Sequence, residues 1–389
     1  MRTKTCEMEK QKKPLDGIKV IELTTYLAAP SAGRFLSCLG ADVIKVESLE
    51  GDPWRRQGAL YGIPIEENNN PLFVSANEGK KFIAINLKSD DGLKVFYELI
   101  KKSDIFISNL REKTREKLNV NFQKLLQENS RLVYGVIDGY GQKGEEAGRP
   151  AFDATAFYAR GGYMLDYVPK GDPPNNYMFG SGDCYTGLSL ALGVLGALVG
   201  AQLKGEGTYV NASLLHSSIW MASINYIISQ YGTDYYVEKF YRCRDGLYMF
   251  AQATTPKQKK SICDLLDVDI ETYDDPERIV PILKEKYAQK TFDEWQKIFS
   301  ETNICTERLR HIIELSSDEQ AIVNNFIAPY NRKDGNPIMV PMPPIKYEGV
   351  SENINCDTKL GCHTVDILLE LGYSRENIHR MIKNKAIGV

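Results

Sequence analysis

Short apolar runs alternate with amphipathic stretches through the first half of this chain, and that alternation restricts the fold more than any other feature of the sequence. In one such stretch, Asp90–Lys101, Leu93, Phe96 and Ile100 recur at helical spacing on one face. Apolar runs separated by helices are typical of parallel strands joined by helical crossovers. The predicted fold is therefore α/β, with an open, doubly wound parallel sheet. The predicted strands are Ile18–Leu23, Asp42–Val46, Phe82–Leu87, Asp104–Ser108 and Leu132–Ile137, and the predicted helices are Ser31–Leu39, Asp90–Lys101 and Phe122–Glu128.

The regular alternation stops after Gly205. A short strand at Tyr209–Ser213 and a long helix at Leu214–Tyr231 are predicted next, and they indicate the start of a smaller α+β domain. We place the large α/β domain at 14–205, the small α+β domain at 206–327, and a linker with a C-terminal part at 328–389. The remaining predicted elements are a strand at Gly246–Ala251 and helices at Lys257–Leu266, Pro276–Ala288, Thr291–Ser300, His363–Leu371 and Ser374–Lys383.

The composition argues against several classes of function. Of the 389 residues, 43% are hydrophobic and 25% are charged, and the formal net charge is −3. This near balance does not indicate nucleic acid or an anionic membrane as a partner. Eight cysteines are scattered without a Cys-x-x-Cys pair, which argues against a zinc site and is typical of free thiols in a reducing cytoplasm. The longest apolar run, Leu188–Ala201, is shorter than the about 20 residues that span a bilayer. We therefore expect a soluble, cytoplasmic protein without a metal ion.

The opening strand-helix-strand pattern is Rossmann-like, and two turns that follow predicted strands are candidate dinucleotide sites. The first turn, Thr24–Pro30, contains no glycine to cradle a pyrophosphate. The segment Gly139–Gly144 matches G-x-G-x-x-G after a strand, but Arg149 and Pro150 follow it, and proline disfavours the required helix. We interpret Gly139–Gly144 as a glycine-rich active-site loop and expect no NAD.

Asp183 lies between a glycine turn and the apolar run Leu188–Gly200. Two interpretations are open. In one, its side chain caps a helix and accepts a hydrogen bond from the N–H of Tyr185 or Thr186. In the other, the carboxylate is a nucleophile whose ionised form the helix N-terminus favours and which the glycines leave open to a ligand. Few alternative bases exist, because the histidines, none of them near a Gly-x-Ser-x-Gly elbow, are His216, His311, His363 and His379.

Several segments together resemble the class III CoA-transferases, also called the carnitine dehydratase/bile-acid-inducible or formyl-CoA transferase family. The match extends over nearly the whole chain. Within the family, Tyr26–Pro30 and Phe152–Gly162 are most similar to the 2-hydroxyacyl and aryl-lactate CoA-transferases of fermenting anaerobes. The segments that carry the resemblance are Pro14–Leu23, Ala29–Pro30, Leu39–Glu47, Gly51–Pro53, Asn77–Lys88, Gly139–Gly144, Gly182–Asp183 with Gly187, and Leu360–Thr364.

The resemblance implies a fold in which both chain ends build the large domain, an interlocked homodimer, and transfer of coenzyme A between an acyl-CoA and a carboxylic acid, here of the 2-hydroxy or aryl-lactate type. Asp183 would be the nucleophile and would carry acyl and then CoA as covalent intermediates. Lys117 would pair with a CoA phosphate. The other implied site residues are Gly139, Tyr140, Gly141 and Gly182 around the oxyanions; Ile85, Asn86, Leu87, Lys88, Asn109, Leu110 and Asp138 along CoA; and Tyr26, Leu27 and Ala28 in the substrate pocket.

This chain departs from the family pattern at three places. Leu27 stands where formyl-CoA transferases have a glutamine, Ser48 stands where they have an arginine, and the segment Tyr231–Tyr248 is short. An apolar acyl group is therefore expected in place of formate or oxalate. Two alternatives remain: an acyl-CoA racemase of the same family, which needs a histidine base that is missing near Tyr134–Asp138, and a CoA-binding protein with an eroded site.

Overall fold

The computed structural model describes residues 12–65, 70–169, 171–232, 240–331, 335, 337–347 and 357–389. The chain forms two compact units. The larger consists of Met1–Val168, Asp172–Ile227 and Ile322–Val389, and the smaller consists of Pro169–Gly171 and Ile228–Ala321. The middle of the short segment Tyr231–Tyr248 lies outside the described residues.

Strands and helices alternate through the first part of the chain, as the sequence predicts. The strands are β1 Lys19–Leu23, β2 Asp42–Glu47, β3 Lys81–Ile85, β4 Ile105–Ser108, β5 Val133–Asp138, β6 Tyr209–Ser213, β7 Phe240–Arg242, β8 Tyr248–Gln252, β9 Cys305–Arg308, β10 Ile327–Tyr330, β11 Ile338–Pro341 and β12 Ile387–Gly388. The α-helices are α1 Ala28–Cys38, α2 Pro71–Asn77, α3 Asp90–Lys101, α4 Glu112–Lys117, α5 Phe122–Glu128, α6 Tyr163–Asp166, α7 Ser181–Lys204, α8 Leu214–Met221, α9 Ser223–Ser229, α10 Pro256–Leu266, α11 Ile270–Tyr273, α12 Pro276–Tyr287, α13 Phe292–Ser300, α14 Glu319–Val323, α15 Thr364–Glu370 and α16 Arg375–Lys383.

The larger unit is built on a seven-stranded sheet of order β12-β3-β2-β1-β4-β5-β6. Strands β1 to β6 are parallel, and β12 pairs antiparallel with β3, with Ile387 opposite Ile85. Because β1 has β2 on one side and β4 on the other, the strand order reverses next to β1. This 3-2-1-4-5-6 order is that of a Rossmann-type sheet, in which ligands bind beyond the carboxyl ends of the strands at the reversal. The predicted parallel α/β fold is confirmed.

Helices cover both faces of this sheet. On one face α1 and α7 bury small and aliphatic side chains, among them Ala32, Leu190 and Val194. On the other face α3, α5, α15 and α16 form a second apolar cluster that includes Phe96 and Leu368. Helix α3 has the bounds that its spacing predicts, and Ser89 caps it by accepting a hydrogen bond from the N–H of Gly92 at 3.1 Å.

The start of the small domain differs from the prediction. We placed residue 206 there, but β6 pairs in parallel with β5, with Ser213 opposite Asp138, so it belongs to the large sheet. The change in sequence pattern after Gly205 marks the end of a helix and not the start of a new domain. Gly205 has φ +79° and terminates α7, from which the chain turns into β6. The predicted long helix Leu214–Tyr231 is also divided, into α8 and α9, at Ala222.

The smaller unit has a core of its own. Its antiparallel sheet has the order β7-β8-β9. Helices α10, α12 and α13 follow the predicted positions within one residue, whereas the short helix α11 is not among the predicted elements. Aromatic side chains dominate this core: Tyr241 stacks on Tyr287 at 5.0 Å between ring centroids, and Trp295 packs beside them.

Candidate active site

Asp183 is the third residue of α7 and does not cap it. The helix begins at Ser181, and Gly180, with φ +79°, occupies the capping position. The side chain of Asp183 makes no hydrogen bond or ion pair with any other described residue, so the capping interpretation is wrong. The backbone N–H groups of Gly182 and Asp183 also make no hydrogen bond in the described part of the chain. A carboxylate and two free N–H donors therefore lie together at the first turn of this helix.

Asp153 fixes the position of that first turn. It is 3% exposed and begins a π-helical segment, Asp153–Ala159, which ends with a hydrogen bond from the N–H of Arg160 to the carbonyl of Thr155. The Asp153 carboxylate accepts a hydrogen bond from the N–H of Gly180 at 2.8 Å. No local sequence pattern marks Asp153, because its link to Gly180 joins positions 27 residues apart.

The glycine beside Asp183 permits close packing on this segment. A Cβ added to Gly182 would lie 2.7 Å from Cγ of Phe157, inside any allowed contact. The helix start therefore lies directly against the ring of Phe157, which is 1% exposed.

Burial raises the pKa of Asp183 to about 7, and the negative charge of Asp153 adds to the effect. From the sequence alone, the helix N-terminus is expected to favour the ionised form of Asp183 and so to lower its pKa. In the structure the pKa of Asp183 is raised instead, because the loss of hydration outweighs the effect of the helix dipole. A carboxylate with a pKa near neutrality is a stronger base and nucleophile than an ordinary aspartate, and above that pH it is still ionised.

Asp183 opens into a cavity of about 660 Å³ at the reversal point of the sheet. Two strands contribute their carboxyl ends: Asn109 follows β4, and Asp138 is the last residue of β5. The predicted site residues that line this cavity are Tyr26, Ala28, Asn109, Leu110, Asp138, Gly139, Gly141 and Asp183. The sequence therefore identified residues that the fold brings together from four separate segments.

The turn that carries Tyr26 is held in a strained conformation. Tyr26 has φ +62°, which is unfavourable for a residue with a side chain. Its N–H donates to Oδ1 of Asp52 at 3.0 Å. The neighbouring Thr25 donates its N–H to Asn109 at 3.0 Å and accepts from the amide of Asn109 at 2.7 Å. These bonds compensate the strain and fix one wall of the cavity.

A group of buried charged side chains packs against that turn and holds it by hydrogen bonds. Lys45 lies 3.0 Å from Asp52 and 3.1 Å from Glu22, and Lys80 lies 2.7 Å from Glu22, with all four side chains fully buried. Two cations balance two anions, so the group carries no net charge. Asp52 accepts from the N–H of Tyr26, and both lysines also bond the turn: Lys45 donates to the carbonyl of Thr24 at 3.2 Å, and Lys80 donates to the carbonyl of Pro30 at 2.8 Å.

Several predicted residues do not line the cavity. Leu27 is buried in an apolar cluster with Trp54 and Phe82, and its Cδ2 would lie 2.7 Å from a Cβ added to Gly180. It supports the start of α7 and is not part of the cavity wall. Tyr140 and Gly182 also fall outside the lining residues. The N–H of Gly141 donates to Asp138 at 2.7 Å, so it is not free for an oxyanion as we expected.

The segment Ile85–Lys88, expected along CoA, lies next to the C-terminal strand. Ile85 pairs with Ile387, and the amide of Asn86 donates to the carbonyl of Lys385 at 3.2 Å. Lys117 is exposed at the end of α4. Neither the segment nor Lys117 is among the lining residues, whereas Arg111, Lys113 and Arg115, which the sequence analysis did not select, all are.

Two further findings concern metals and membranes. Among the described residues, no group of three His, Cys, Asp or Glu side chains is placed to hold a metal ion. In the same part of the chain, α7 alone is long and apolar enough to cross a membrane by length and composition. The helix is longer than the apolar run that we considered, and one side of it packs on α1 and the sheet.

Comparison with known proteins agrees with this fold. The model of CoA-transferase family III matches residues 15–364. Solved structures share the fold: a CAIB/BAIF family protein from Brucella suis has a TM-score of 0.76 at 23% identity, covering 93% of this chain and all of its own. A mutant of Rv3272 from Mycobacterium tuberculosis has a TM-score of 0.80 at 23% identity, covering 91% of this chain and 98% of its own.

Two curated relatives match over almost their entire lengths. The (R)-2-hydroxy-4-methylpentanoate CoA-transferase of Clostridioides difficile is 32% identical, with 96% of this chain and 99% of the relative covered. The cinnamoyl-CoA:phenyllactate CoA-transferase of Clostridium sporogenes is also 32% identical, with 98% and 99% covered. The resemblance that the sequence motifs indicate is thereby confirmed, and the chain belongs to CoA-transferase family III and is a CoA-transferase.

Proposed function

We propose that this enzyme moves CoA from an acyl-CoA to a 2-hydroxy carboxylic acid through covalent intermediates on Asp183. The observation that carries the proposal is the unpartnered, poorly hydrated carboxylate of Asp183 in the wall of the cavity. The names of the two curated relatives support the acid class, since both act on 2-hydroxy acids or their thioesters. CoA is then a substrate, and the four cavity-lining residues Asn109, Leu110, Asp138 and Gly139 would lie along it.

In the first half-reaction, a carboxylate oxygen of Asp183 attacks the thioester carbonyl of the donor. The C–S bond breaks, CoA leaves as a thiolate, and a mixed anhydride remains. The thiolate then attacks the aspartyl carbonyl of this anhydride, which releases the donor acid and leaves Asp183 as a CoA thioester.

In the second half-reaction, the carboxylate of the acceptor acid attacks the aspartyl thioester and again releases the thiolate. The thiolate attacks the acceptor carbonyl of the new anhydride, which forms the product acyl-CoA and regenerates the Asp183 carboxylate. Every intermediate retains the activation of a thioester or an anhydride, so no ATP is consumed. The free N–H group of Asp183, which lines the cavity, is the proposed donor to the oxyanions.

Aromatic rings beside Asp183 support an apolar acyl chain. Tyr26 and Phe152 both line the cavity and meet edge to face with 5.7 Å between ring centroids. An aryl or branched aliphatic group packs well in such surroundings. No histidine is present among the described residues that line the cavity. The described lining of the cavity thus offers no histidine of the kind that a racemase of this family uses as its base, which favours transfer over racemisation.

The covalent step is tested by trapping. Incubation with an acyl-CoA and hydroxylamine should convert Asp183 to a hydroxamate, which peptide mass spectrometry locates. Asp183→Asn should give no hydroxamate and no CoA transfer, whereas Asp172→Asn, a change at an exposed aspartate, should behave as the wild type. A screen of acetyl, phenylpropanoyl and isocaproyl donors against 2-hydroxy acids defines the substrates. If no donor gives either transfer or a hydroxamate, the proposal is wrong.

We also propose that the enzyme is a cytoplasmic homodimer. Large apolar side chains are exposed on α7, α8 and α9, including Leu192 at 75%, Trp220 at 71% and Ile224 at 66% exposure. An apolar surface shared by three neighbouring helices is typical of a protein interface.

A further inference from the structure

We infer that Tyr177 and Phe179, on the segment that leads into α7, select the acid substrate. The ring of Phe179 packs against the side chain of the acid, and the phenol of Tyr177 donates a hydrogen bond to its 2-hydroxyl group. The inference rests on the proposed function, since it takes Asp183 as the nucleophile and a 2-hydroxy acid as the acceptor.

The covalent chemistry limits where the acid can bind. In the proposed anhydride, the carboxyl carbon of the acid is bonded to an oxygen of Asp183, so the α-carbon of the acid is two bonds from that oxygen. The 2-hydroxyl group and the side chain of the acid are both attached to this α-carbon. Both groups must therefore contact the protein in the immediate surroundings of the first turn of α7.

A tight turn brings Phe179 to that place. The N–H of Ser181 donates to the carbonyl of Met178 at 3.2 Å, so the chain reverses at Phe179 and Gly180 directly before α7. The N–H of Gly180 donates to the buried carboxylate of Asp153 at 2.8 Å, which fixes the turn.

The ring of Phe179 is firmly supported and still accessible. It packs on the indole of Trp54 with 6.2 Å between ring centroids. Trp54 is buried, and its Nε1–H donates to the carbonyl of Leu72 at 2.9 Å, so this support does not move. Phe179 itself is 56% exposed. An aromatic ring held in this way near a reactive carboxylate favours an aryl or branched aliphatic substituent.

Phe179 belongs to an arc of aromatic side chains near the first turn of α7. Neither Phe179 nor Tyr177 is among the described residues that line the cavity, so the acid would extend along the arc while CoA occupies the cavity. Successive members of the arc lie 5.4–6.5 Å apart between ring centroids, in the order Phe152, Tyr26, Trp54, Phe179, Tyr177 and Tyr158.

Tyr177 supplies a hydrogen-bonding group within this apolar arc. Its ring lies between those of Tyr158 and Phe179, and its phenol makes no hydrogen bond with any other described residue. The phenol of Tyr158, by contrast, is bonded to the hydroxyl of Ser181. A 2-hydroxyl group that bound among aromatic rings without a partner would lose its hydrogen bonds to water, which is unfavourable unless the protein replaces one of them.

The phenol of Tyr177 is also close enough to the reacting group to respond to it. Partial loss of hydration, and then the neighbouring Asp153, Tyr61 and Asp183, raise the pKa of Tyr177. The phenol therefore stays protonated at neutral pH and is a donor for the oxygen of the 2-hydroxyl group.

The test compares three acceptor acids: 2-hydroxy-3-phenylpropanoate, 3-phenylpropanoate, which lacks the hydroxyl group, and 2-hydroxypropanoate, which lacks the phenyl group. Ratios of kcat/KM give the preference for each group. Tyr177→Phe should reduce the preference for the 2-hydroxyl group by roughly tenfold and leave the preference for the phenyl group unchanged. Phe179→Ala should reduce the preference for the phenyl group by roughly tenfold and leave the other unchanged.

Each variant has a matched control that should keep both preferences. Tyr373→Phe removes a phenol that packs on the other face of the sheet from α7. Phe326→Ala removes a ring that is 54% exposed and belongs to neither the arc nor the described lining of the cavity.

The inference is wrong if Tyr177→Phe lowers kcat/KM equally for the acids with and without the 2-hydroxyl group, since the phenol would then act on the carboxyl group. It is also wrong if Phe179→Ala lowers kcat/KM equally with and without the phenyl group. A wild type that forms the hydroxamate and transfers CoA, with both variants keeping its preferences, contradicts this inference alone. A wild type that does neither contradicts the proposed function as well.

Discussion

At the scale of single residues, the neighbouring carboxylates of Asp183 and Asp153 have different roles. Asp153 is bound by backbone N–H groups at 2.7 and 2.8 Å and holds the start of α7, whereas Asp183 has no such bonds and is left available for reaction. The charge of Asp153 also keeps the proton affinity of Asp183 high. Asp153 therefore holds the local structure and raises the pKa of its neighbour, and Asp183 is the proposed nucleophile.

This pair predicts the pH dependence of the reaction. The nucleophile must be ionised, so kcat/KM should rise with pH and level off above about 7, the pKa of Asp183. Asp153→Asn keeps an oxygen that accepts from the N–H of Gly180 but removes the charge, so the rise should move to lower pH. Steady-state profiles of both proteins measure this shift. A profile that Asp153→Asn leaves unmoved would show that the two carboxylates do not interact.

The same pKa predicts how Asp183 affects stability. Because its folded-state pKa is raised above the ordinary value, the folded protein binds more protons than the unfolded chain between about pH 4 and 7, and stability falls as pH rises through that window. Asp183→Asn should therefore match the wild type near pH 4 and exceed it at about pH 8 by on the order of 4 kcal/mol. Urea unfolding at the two pH values measures the difference. Equal stability at about pH 8 would contradict the raised pKa.

At the scale of elements, α7 is the helix on which the site depends. It packs along α1, and Gly187 permits this contact: an added Cβ would lie 2.0 Å from Oγ of Ser31 and 2.5 Å from the carbonyl oxygen of Ala28. A glycine is needed at this position because a larger side chain would collide with α1, although glycine has a low helix propensity.

Gly187→Ala should therefore lower the free energy of unfolding by about 2 kcal/mol, because the two helices must separate. Gly200→Ala in the same helix is the control. Nothing lies within 4 Å of its added Cβ, so alanine should be neutral or stabilising by up to about 1 kcal/mol. Thermal unfolding of both variants measures the contrast. If Gly187→Ala is as stable as Gly200→Ala, the close α1–α7 contact is wrong.

The sequence predicts well those helices and strands whose position is set by signals within the segment itself, such as apolar spacing or a capping residue. The span of α3 follows from its apolar spacing and the Ser89 cap, and β1 to β5 follow from short apolar runs. The π-helical turn at Asp153–Ala159 and the two-residue strand β12 depend on tertiary contacts instead, and no periodic pattern marks them. For the same reason the sequence located Asp183 and the glycine-rich loop but not Arg115, which lines the cavity and is buried, with its Nη1 lacking a hydrogen-bond partner among the described residues.

At the scale of the whole molecule, the exposed apolar surface of α7, α8 and α9 is the proposed dimer interface. Trp220→Glu places a charge in the centre of the proposed interface and should convert the dimer to monomer or to aggregate. Light scattering coupled to size-exclusion chromatography measures the mass. Leu60→Glu, at a side chain that is 98% exposed outside these helices, is the control and should stay dimeric. A wild type that is monomeric at all concentrations would contradict the proposed dimer.

The buried charges below the Tyr26 turn also bear on how the protein responds to heat. Glu22, Lys45, Asp52 and Lys80 are removed from water at a cost in free energy, and that cost falls with temperature because the hydration of ions becomes less favourable on warming. Their mutual attraction does not weaken in the same way. The wall of the cavity that carries Tyr26 should therefore keep its shape on warming until the larger unit itself unfolds.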